Sequence, residues 1–222
     1  MLNSVTWKIG GEAGFGIMSS GTMLARAFSR QGYHVFATNE YPSLIRGGHN
    51  LVTVRIATEK FEAMNKDVHV LVALNSASVD LHKDELSEKA LVVYDPKDHE
   101  WTAGDFPKPV VLVPVPLNEL VRSHNGEPVM RNTVALGVSV ALLGADFASL
   151  ETIIRDQFKK KSQEVIDNNI TIAKAGYDHI KTEYPQESSV YLTKAQKKED
   201  LLIINASEAV GVGAVRAGLK FA

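Results

Sequence analysis

The sequence predicts an α/β protein with a single main domain, in which helices cover both faces of an open, mostly parallel, Rossmann-like sheet. Short apolar segments typical of strands alternate with segments typical of helices, and Gly-, Pro- and Asp-rich turns separate them. The segment Asp67–Leu74 is apolar almost throughout, as expected of a strand covered on both faces. A glycine-rich turn, Gly10–Gly16, joins the first strand to the first helix, and glycines there allow the backbone to approach a ligand closely.

The first strand and helix are predicted from hydrophobic periodicity. The strand Val5–Ile9 leads into the glycine-rich turn, and the helix Met18–Gln31 follows it. One apolar stripe runs along the helix and consists of Ile17, Leu24 and Phe28. Gly21 lies on the same stripe and lowers helix propensity by roughly 1 kcal/mol relative to Ala. We therefore expect the helix to pack closely on the sheet at Gly21.

The remaining elements continue the alternation of strands and helices. Strands are predicted at Tyr33–Thr38, Asn50–Ala57, Asp67–Leu74, Ala90–Tyr94 and Val110–Val115. Helices are predicted at Ser78–Leu86, at Asn132–Leu143 with Asn132 as N-cap, at Leu150–Phe158 and at Ser162–Glu183.

The sequence divides into a main domain over residues 1–183, a polar linker over residues 184–200, and the incomplete beginning of a second domain over residues 201–222. In this last segment Asn205 and Glu208 form a capping signature, and Gly218 is the expected stop of a short helix. The helix carries small residues on most faces, so it is expected to be covered by neighbours, to be disordered or to self-associate.

Composition limits the function classes. The chain is 45% hydrophobic and 23% charged, as in ordinary globular proteins, and its net charge of −2 gives no electrostatic reason to expect nucleic acid or an anionic membrane as partner. It contains no cysteine, which excludes thiolate metal sites, cysteine-ligated clusters and disulfides and fits a reducing cytoplasm. The start of the sequence does not resemble a signal peptide. The longest apolar run, Thr133–Gly144, is shorter than the ~20 residues of a membrane span, and predicts a buried helix.

The glycine-rich turn is the first candidate site. Its pattern Gly11-x-Ala13-x-x-Gly16 nearly matches the dinucleotide fingerprint, but Ala13 replaces the glycine that lets a pyrophosphate approach. Glu40 is the candidate for the acidic residue that would bind a ribose. Such turns also serve tight packing alone, so both interpretations stay open.

The loop between the second and third strands is the second candidate site. Arg46 stands beside Gly47 and Gly48, on the sheet edge where open α/β sheets bind ligands, and its guanidinium suits a phosphate or carboxylate. A solvated surface loop, or one that docks a partner chain, is an equally good interpretation.

Other chemistry has little support. The seven histidines lack metal-ligand spacing: His34 and His69 fall in strands, His49 adjoins the loop, and His82, His99, His124 and His179 are expected to be exposed. No serine lies in a nucleophile-elbow context. The sequence therefore gives no reason to assign a catalytic residue, and the histidine spacing gives no reason to assign a metal ligand.

Four segments together resemble a known family. They are G-G-E-A-G-F-G-I at 10–17, E-Y-P-S-L-I-R-G-G-H-N at 40–50, R-N-T-V-A-L-G at 131–137 and N-A-S-E-A-V-G-V-G-A-V-R-A-G-L-K-F at 205–221. The first three resemble the γ domain of 2-oxoacid:ferredoxin oxidoreductases of the pyruvate/2-oxoglutarate type. The fourth resembles the opening of the family's α domain, as in fused γ–α subunits.

The resemblance implies a complex that oxidatively decarboxylates a 2-oxoacid on thiamine diphosphate, reduces ferredoxin through iron–sulfur clusters and releases an acyl-CoA. Thiamine diphosphate is then expected between the α and β domains, and the cysteine-ligated clusters on other domains or chains of the complex. The γ domain is expected to contribute assembly and CoA contacts through Gly11, Ala13, Gly14, Gly16, Arg46, Gly47, Gly48 and Asn50. The alternatives are an independent NAD(P)-dependent oxidoreductase and a ligand-free docking module.

Overall fold

A computed structural model describes residues 2–42, 48–185, 192–196 and 203–220 of the chain. Its centre is a six-stranded sheet with the order β2-β3-β1-β4-β5-β6. The strands are β1 (Ser4–Glu12), β2 (His34–Glu40), β3 (His49–Ala57), β4 (Val68–Ala73), β5 (Leu86–Tyr94) and β6 (Val110–Pro114). β1, β4, β5 and β6 pair in parallel, while β3 runs antiparallel to both β1 and β2. The prediction of a mostly parallel α/β sheet is therefore confirmed.

Helices cover the two faces of the sheet unequally. The helices are α1 (Ile17–Arg30), α2 (Ser76–His82), α3 (Leu117–Ser123), α4 (Arg131–Leu142), α5 (Phe147–Phe158), α6 (Gln163–Glu183) and α7 (Ala206–Arg216). On the first face, α1, α3, α4, α5 and α6 bury a large apolar core against alternate strand residues such as Trp7 and Val54. On the second face, α2 together with Trp101 and Phe106 covers a smaller core.

Close packing explains why glycine stands within two helices of the first face. A Cβ on Gly21 of α1 would lie 2.2 Å from a Val52 methyl carbon, which confirms the expected tight contact with the sheet. A Cβ on Gly137 of α4 would lie 1.8 Å from the Ala173 carbonyl oxygen of α6. Every residue of α4 is buried, as the apolar run Thr133–Gly144 predicts.

The element bounds differ from the prediction in several places. β1 extends to Glu12, so the turn itself begins at Ala13. α2 ends at His82 and is followed by a 3-10 turn, Lys83–Glu85, and by an earlier start of β5. The short helix α3 was missed. The prediction of Asn132 as an N-cap is wrong, because α4 begins at Arg131 and Met130 occupies the cap position without a side-chain hydrogen bond.

The C-terminal helix α7 forms with the predicted signals. Asn205 and Glu208 exchange the two hydrogen bonds of a capping box, and Gly218 follows the helix with φ +96°. The exposed apolar side chains of this segment include Val210, Val212 and Val215. Within the part of the chain that the structure describes, no helix is both long and apolar enough to span a membrane.

Candidate functional site

The glycine-rich turn lies at the carboxyl end of β1 and leads directly into α1. The Phe15 N–H donates to the Glu12 carbonyl oxygen at 3.2 Å, and Gly14 and Gly16 adopt φ values of +100° and +68°. Gly16 is the N-cap residue of α1 and, as a glycine, provides no side-chain cap. The first N–H groups of α1 are therefore available to an anion, which the positive end of the helix dipole favours.

The start of β3 lies beside this turn. In the antiparallel pair, Gly11 of β1 is opposite Asn50 of β3, and the Ala13 N–H donates to the Gly48 carbonyl oxygen at 3.2 Å. The structure thus brings six predicted site residues to one edge of the sheet, namely Gly11, Ala13, Gly14, Gly16, Gly48 and Asn50. The other two, Arg46 and Gly47, lie outside the described residues.

The carboxyl end of β1, where these residues meet, is a topological switch point of the sheet. From β1 the chain passes through α1 to β2 on one side, whereas β4 pairs in parallel with β1 on the other side. The Leu74 N–H donates to the Gly10 carbonyl oxygen at 2.9 Å, so the ends of β1 and β4 stay close together. Open α/β sheets bind ligands in the crevice that such a switch opens.

The N-terminus of α4 packs against the glycine-rich turn. The sequence does not predict this contact. A Cβ on Gly16 would lie 2.1 Å from the Asn132 amide nitrogen, so a larger residue there would require the Asn132 side chain to move. Arg131 is buried, forms an ion pair with Asp98, and has its guanidinium carbon 5.5 Å from the centre of the Phe15 ring. The R-N-T segment carried the family resemblance, which was the available signal for its place at the site.

The sheet order does not fit the dinucleotide interpretation. In that interpretation Glu40 would bind a ribose from the strand next to β1. Here β3 lies between β1 and β2, and Glu40 instead lines a second-face cleft of about 280 Å³ with Lys8 and Thr38. The acidic residue is therefore on the wrong strand for a nucleotide bound at the glycine turn.

A chain of polar side chains runs under the same edge on the second face. The Nε2 atoms of His49 and His82 are 2.9 Å apart, His82 Nδ1 lies 2.9 Å from a Glu85 carboxylate oxygen, and Lys8 forms an ion pair with the other oxygen. The prediction that His82 is exposed is wrong, because the residue is only 6% exposed. The 3-10 turn after α2 folds Glu85 back onto His82.

Burial and charge shift the pKa of two groups in this hydrogen-bonded row of side chains, His49 and Glu85. Burial lowers the pKa of His49, and the nearby His82 and Lys8 lower it further. Burial alone would raise the pKa of Glu85, but hydrogen bonds from Lys8 and His82 outweigh it, so the pKa lies below its ordinary value. At neutral pH, Glu85 is therefore a carboxylate and His49 a neutral ring. No group of three metal-ligating side chains occurs among the residues that the structure describes.

Comparison with known proteins gives consistent matches. The protein family described as pyruvate ferredoxin/flavodoxin oxidoreductase matches residues 6–179. Ketoisovalerate oxidoreductase subunit VorA of Methanothermobacter thermautotrophicus is 34% identical over 172 residues, which are 76% of this chain and 35% of that protein. The 2-oxoglutarate synthase subunit KorC of Archaeoglobus fulgidus is 24% identical over 166 residues, 74% of this chain and 84% of that subunit.

Among solved structures, a 2-oxoglutarate:ferredoxin oxidoreductase from Magnetococcus marinus, with 2-oxoglutarate, coenzyme A and succinyl-CoA bound, superimposes with a TM-score of 0.85 at 26% identity. The match covers 99% of this chain and 38% of that chain. The present chain thus spans little more than a third of the VorA protein and of the Magnetococcus chain.

Proposed function

The chain belongs to the pyruvate ferredoxin/flavodoxin oxidoreductase family, and we propose that it supplies the γ-type domain of a 2-oxoacid:ferredoxin oxidoreductase complex in the cytoplasm. Such a complex decarboxylates a 2-oxoacid oxidatively and forms an acyl-CoA. Since the chain has no cysteine, clusters held by thiolates must lie on other domains or subunits. We place thiamine diphosphate there as well, so this chain contributes assembly and CoA contacts and carries no catalytic residue.

The domain division is part of this proposal. The match to the KorC subunit covers 74% of this chain and most of that subunit, which supports a γ-type unit over residues 1–183. The Magnetococcus chain matches nearly the whole of the present chain, including the C-terminal segment, and the match makes up only 38% of that longer chain. This is consistent with the proposal that residues 201–222 are the start of an α domain. Residues 184–200 then form the connection, and the α and β domains are the partners through which ferredoxin is reached.

One observation carries the CoA contact: the open N-terminus of α1, the glycine turn and Gly48–Asn50 meet at the switch point of the sheet. CoA carries phosphate groups, and backbone N–H groups at a helix N-terminus bind phosphate. The similar Magnetococcus enzyme was solved with coenzyme A bound. Arg46, four residues before Asn50 in sequence, is proposed to bind a CoA phosphate bidentately.

Calorimetric titration of the purified complex with CoA tests this proposal. Loss of a charged hydrogen-bonding partner costs about 1.5–3 kcal/mol, so Arg46→Ala is expected to raise the Kd for CoA by about ten- to a hundredfold. Arg26→Ala is the matched control, because Arg26 is exposed on α1 and lies about 13 Å along the helix from its first residue. An unchanged Kd in Arg46→Ala would remove the arginine from the proposed site.

Two other functions remain as alternatives and are separated by the same titration. An independent NAD(P)-dependent oxidoreductase would bind NADH or NADPH. The position of Glu40 described above counts against this function. A ligand-free docking module, or a homo-oligomer, would bind none of the three nucleotides. Co-purification with this chain as bait is then decisive: partners that carry thiamine diphosphate and iron–sulfur clusters support the oxidoreductase complex.

A further inference from the structure

The hydrogen-bonded chain from Lys8 to His49 ends at the first residue of β3, next to the glycine turn. The His49 ring lies over Gly10, since a Cβ there would be 2.8 Å from its Cε1 atom. Gly48, immediately before His49, accepts the hydrogen bond of the Ala13 N–H. The contact between His49 and His82 therefore links α2 to the residues that hold the turn in place.

The hydrogen positions on the two imidazole rings follow from the hydrogen bond that His82 makes to Glu85. The Glu85 carboxylate can only accept, so His82 carries its hydrogen on Nδ1 and, while neutral, leaves Nε2 bare. His49 then donates from Nε2 to His82, and its own Nδ1 is bare. His49 Nδ1 is buried and has no hydrogen-bond partner among the described residues.

We propose that His82 and Glu85 are positioning residues: they fix the His49 ring and thereby hold Gly48 against the glycine turn, and the hold fails when both imidazole rings become protonated. Two protonated rings each carry a hydrogen on Nε2, so the contact of 2.9 Å becomes repulsive. The inference concerns control of the site under "Proposed function" and rests on that function only for its biological use.

The charges around His49 determine how the hold responds to pH. His82 faces it from α2, Glu85 from the 3-10 turn and Lys8 from β1, while Glu12 is its exposed register partner on β1. Glu85 is the negative group hydrogen-bonded to His82, and Lys8 is a positive group that opposes a proton on His49. Changing these two residues is therefore expected to move the transition in opposite directions.

Hydrogen exchange of the Ala13 amide in the full 222-residue chain, from about pH 7.5 to about pH 5 without ligand, measures the hold directly. The protection factor of the Ala13 amide is expected to fall on acidification. The fall should be about tenfold for each unit by which the histidine pKa differs between the state with the Ala13–Gly48 hydrogen bond and the state without it. Glu85→Gln should shift the midpoint to lower pH and Lys8→Met to higher pH. His82→Leu should give low protection at every pH.

His179→Gln is the control, because His179 also has a pKa lowered by burial but lies on α6 of the first face. It should leave the Ala13 profile unchanged. Ala13 protection independent of pH in the unmodified chain, or an equal midpoint in Glu85→Gln and Lys8→Met, would overturn the proposal, and a purely structural role predicts that equality. Since no CoA is present, failure here leaves the proposed CoA contact untouched, and failure of the titration leaves this result valid.

Discussion

At the scale of single residues, Gly14 and Gly16 separate two reasons for glycine in the same turn. Both have positive φ, a conformation that costs other L-residues roughly 1–2 kcal/mol. A Cβ on Gly14 would meet no atom within 4 Å, whereas a Cβ on Gly16 would collide with the Asn132 side chain. Gly14 is therefore required by backbone strain alone, and Gly16 by strain and by packing.

This difference predicts unequal effects of alanine at the two positions. Gly14→Ala is expected to lower the free energy of unfolding by about 1–2 kcal/mol. Gly16→Ala adds the cost of overpacking, about 1–3 kcal/mol, and should lose about 2–5 kcal/mol in total. Urea unfolding followed by circular dichroism measures both. Equal losses would show that the Asn132 side chain moves away without cost.

The sequence predicted the backbone of the site better than its buried polar side chains. Glycines that enable a strand-to-helix turn are visible as a local pattern, and so are the residues of the following loop. The burial of His82 depends on a 3-10 turn that brings Glu85 back to the ring, and no periodicity reports that. Arg131 reaches the site through the fold, from a position more than 100 residues away in sequence.

At the scale of elements, α4 and α6 pack with their backbones almost in contact. Gly137 of α4 faces the Ala173 carbonyl group, and Gly176 of α6 faces the Val134 carbonyl group. Since the obstructing atoms belong to backbone, a rotamer change cannot relieve an added methyl group. The two glycines therefore determine how closely the helices approach, and with them the depth of the first-face core.

Gly137→Ala is accordingly expected to lower the free energy of unfolding by about 3 kcal/mol, at the upper end of overpacking effects, despite the better helix propensity of alanine. Gly211→Ala is the matched control: Gly211 lies within the exposed helix α7, where an added Cβ would meet no atom within 4 Å. There alanine should not destabilise the chain. Thermal unfolding of the two variants distinguishes them, and a stable Gly137→Ala variant would mean that the helices separate freely.

Element types were more predictable than sheet order. Strands and long helices follow from periodicity, as Asp67–Leu74 and Ser162–Glu183 show. The place of β3 between β1 and β2 depends on which edges meet in space, so a local pattern does not contain it. The same limit explains the wrong N-cap: Asn132 packs against Gly16 of a distant turn, and a capping residue is recognised from its neighbours in sequence alone.

At the scale of the whole molecule, three half-buried histidines make stability depend on pH. Burial is the largest cause that lowers the pKa of His49, His69 and His179. The unfolded chain therefore binds more protons than the folded chain below the ordinary histidine pKa of about 6.5. Stability is fully present above that pH and falls as the pH decreases toward the lowered pKa values.

Chemical unfolding at a series of pH values checks this expectation. The free energy of unfolding should be nearly constant from about pH 8 to about pH 7 and should decline below about pH 6.5. His179→Gln removes one of the three contributions and should reduce the slope. A free energy that rises on acidification would contradict the assignment of neutral buried rings.

The contacts of the first domain continue past the end of α6. Leu192 is buried in the first-face core, and the Thr193 N–H donates to the Leu2 carbonyl oxygen. The Tyr184 hydroxyl donates to the Pro114 carbonyl oxygen. By contrast, α7 is exposed almost throughout. The folded unit is therefore expected to extend past residue 183, where the domain division under "Proposed function" ends it, and to stop between these contacts and α7.

Truncation tests where that unit ends. A chain that ends at Gln196 should keep the full Tm, because it retains all of these contacts. A chain that ends at Glu183 should lose about 2–4 kcal/mol, because it lacks the buried Leu192 and the hydrogen bonds that Tyr184 and Thr193 form with the first domain. Calorimetry that compares the Tm of both truncated chains with that of the full chain tests this. A large loss of stability on removing residues 197–222 would show that the C-terminal segment is part of the first domain.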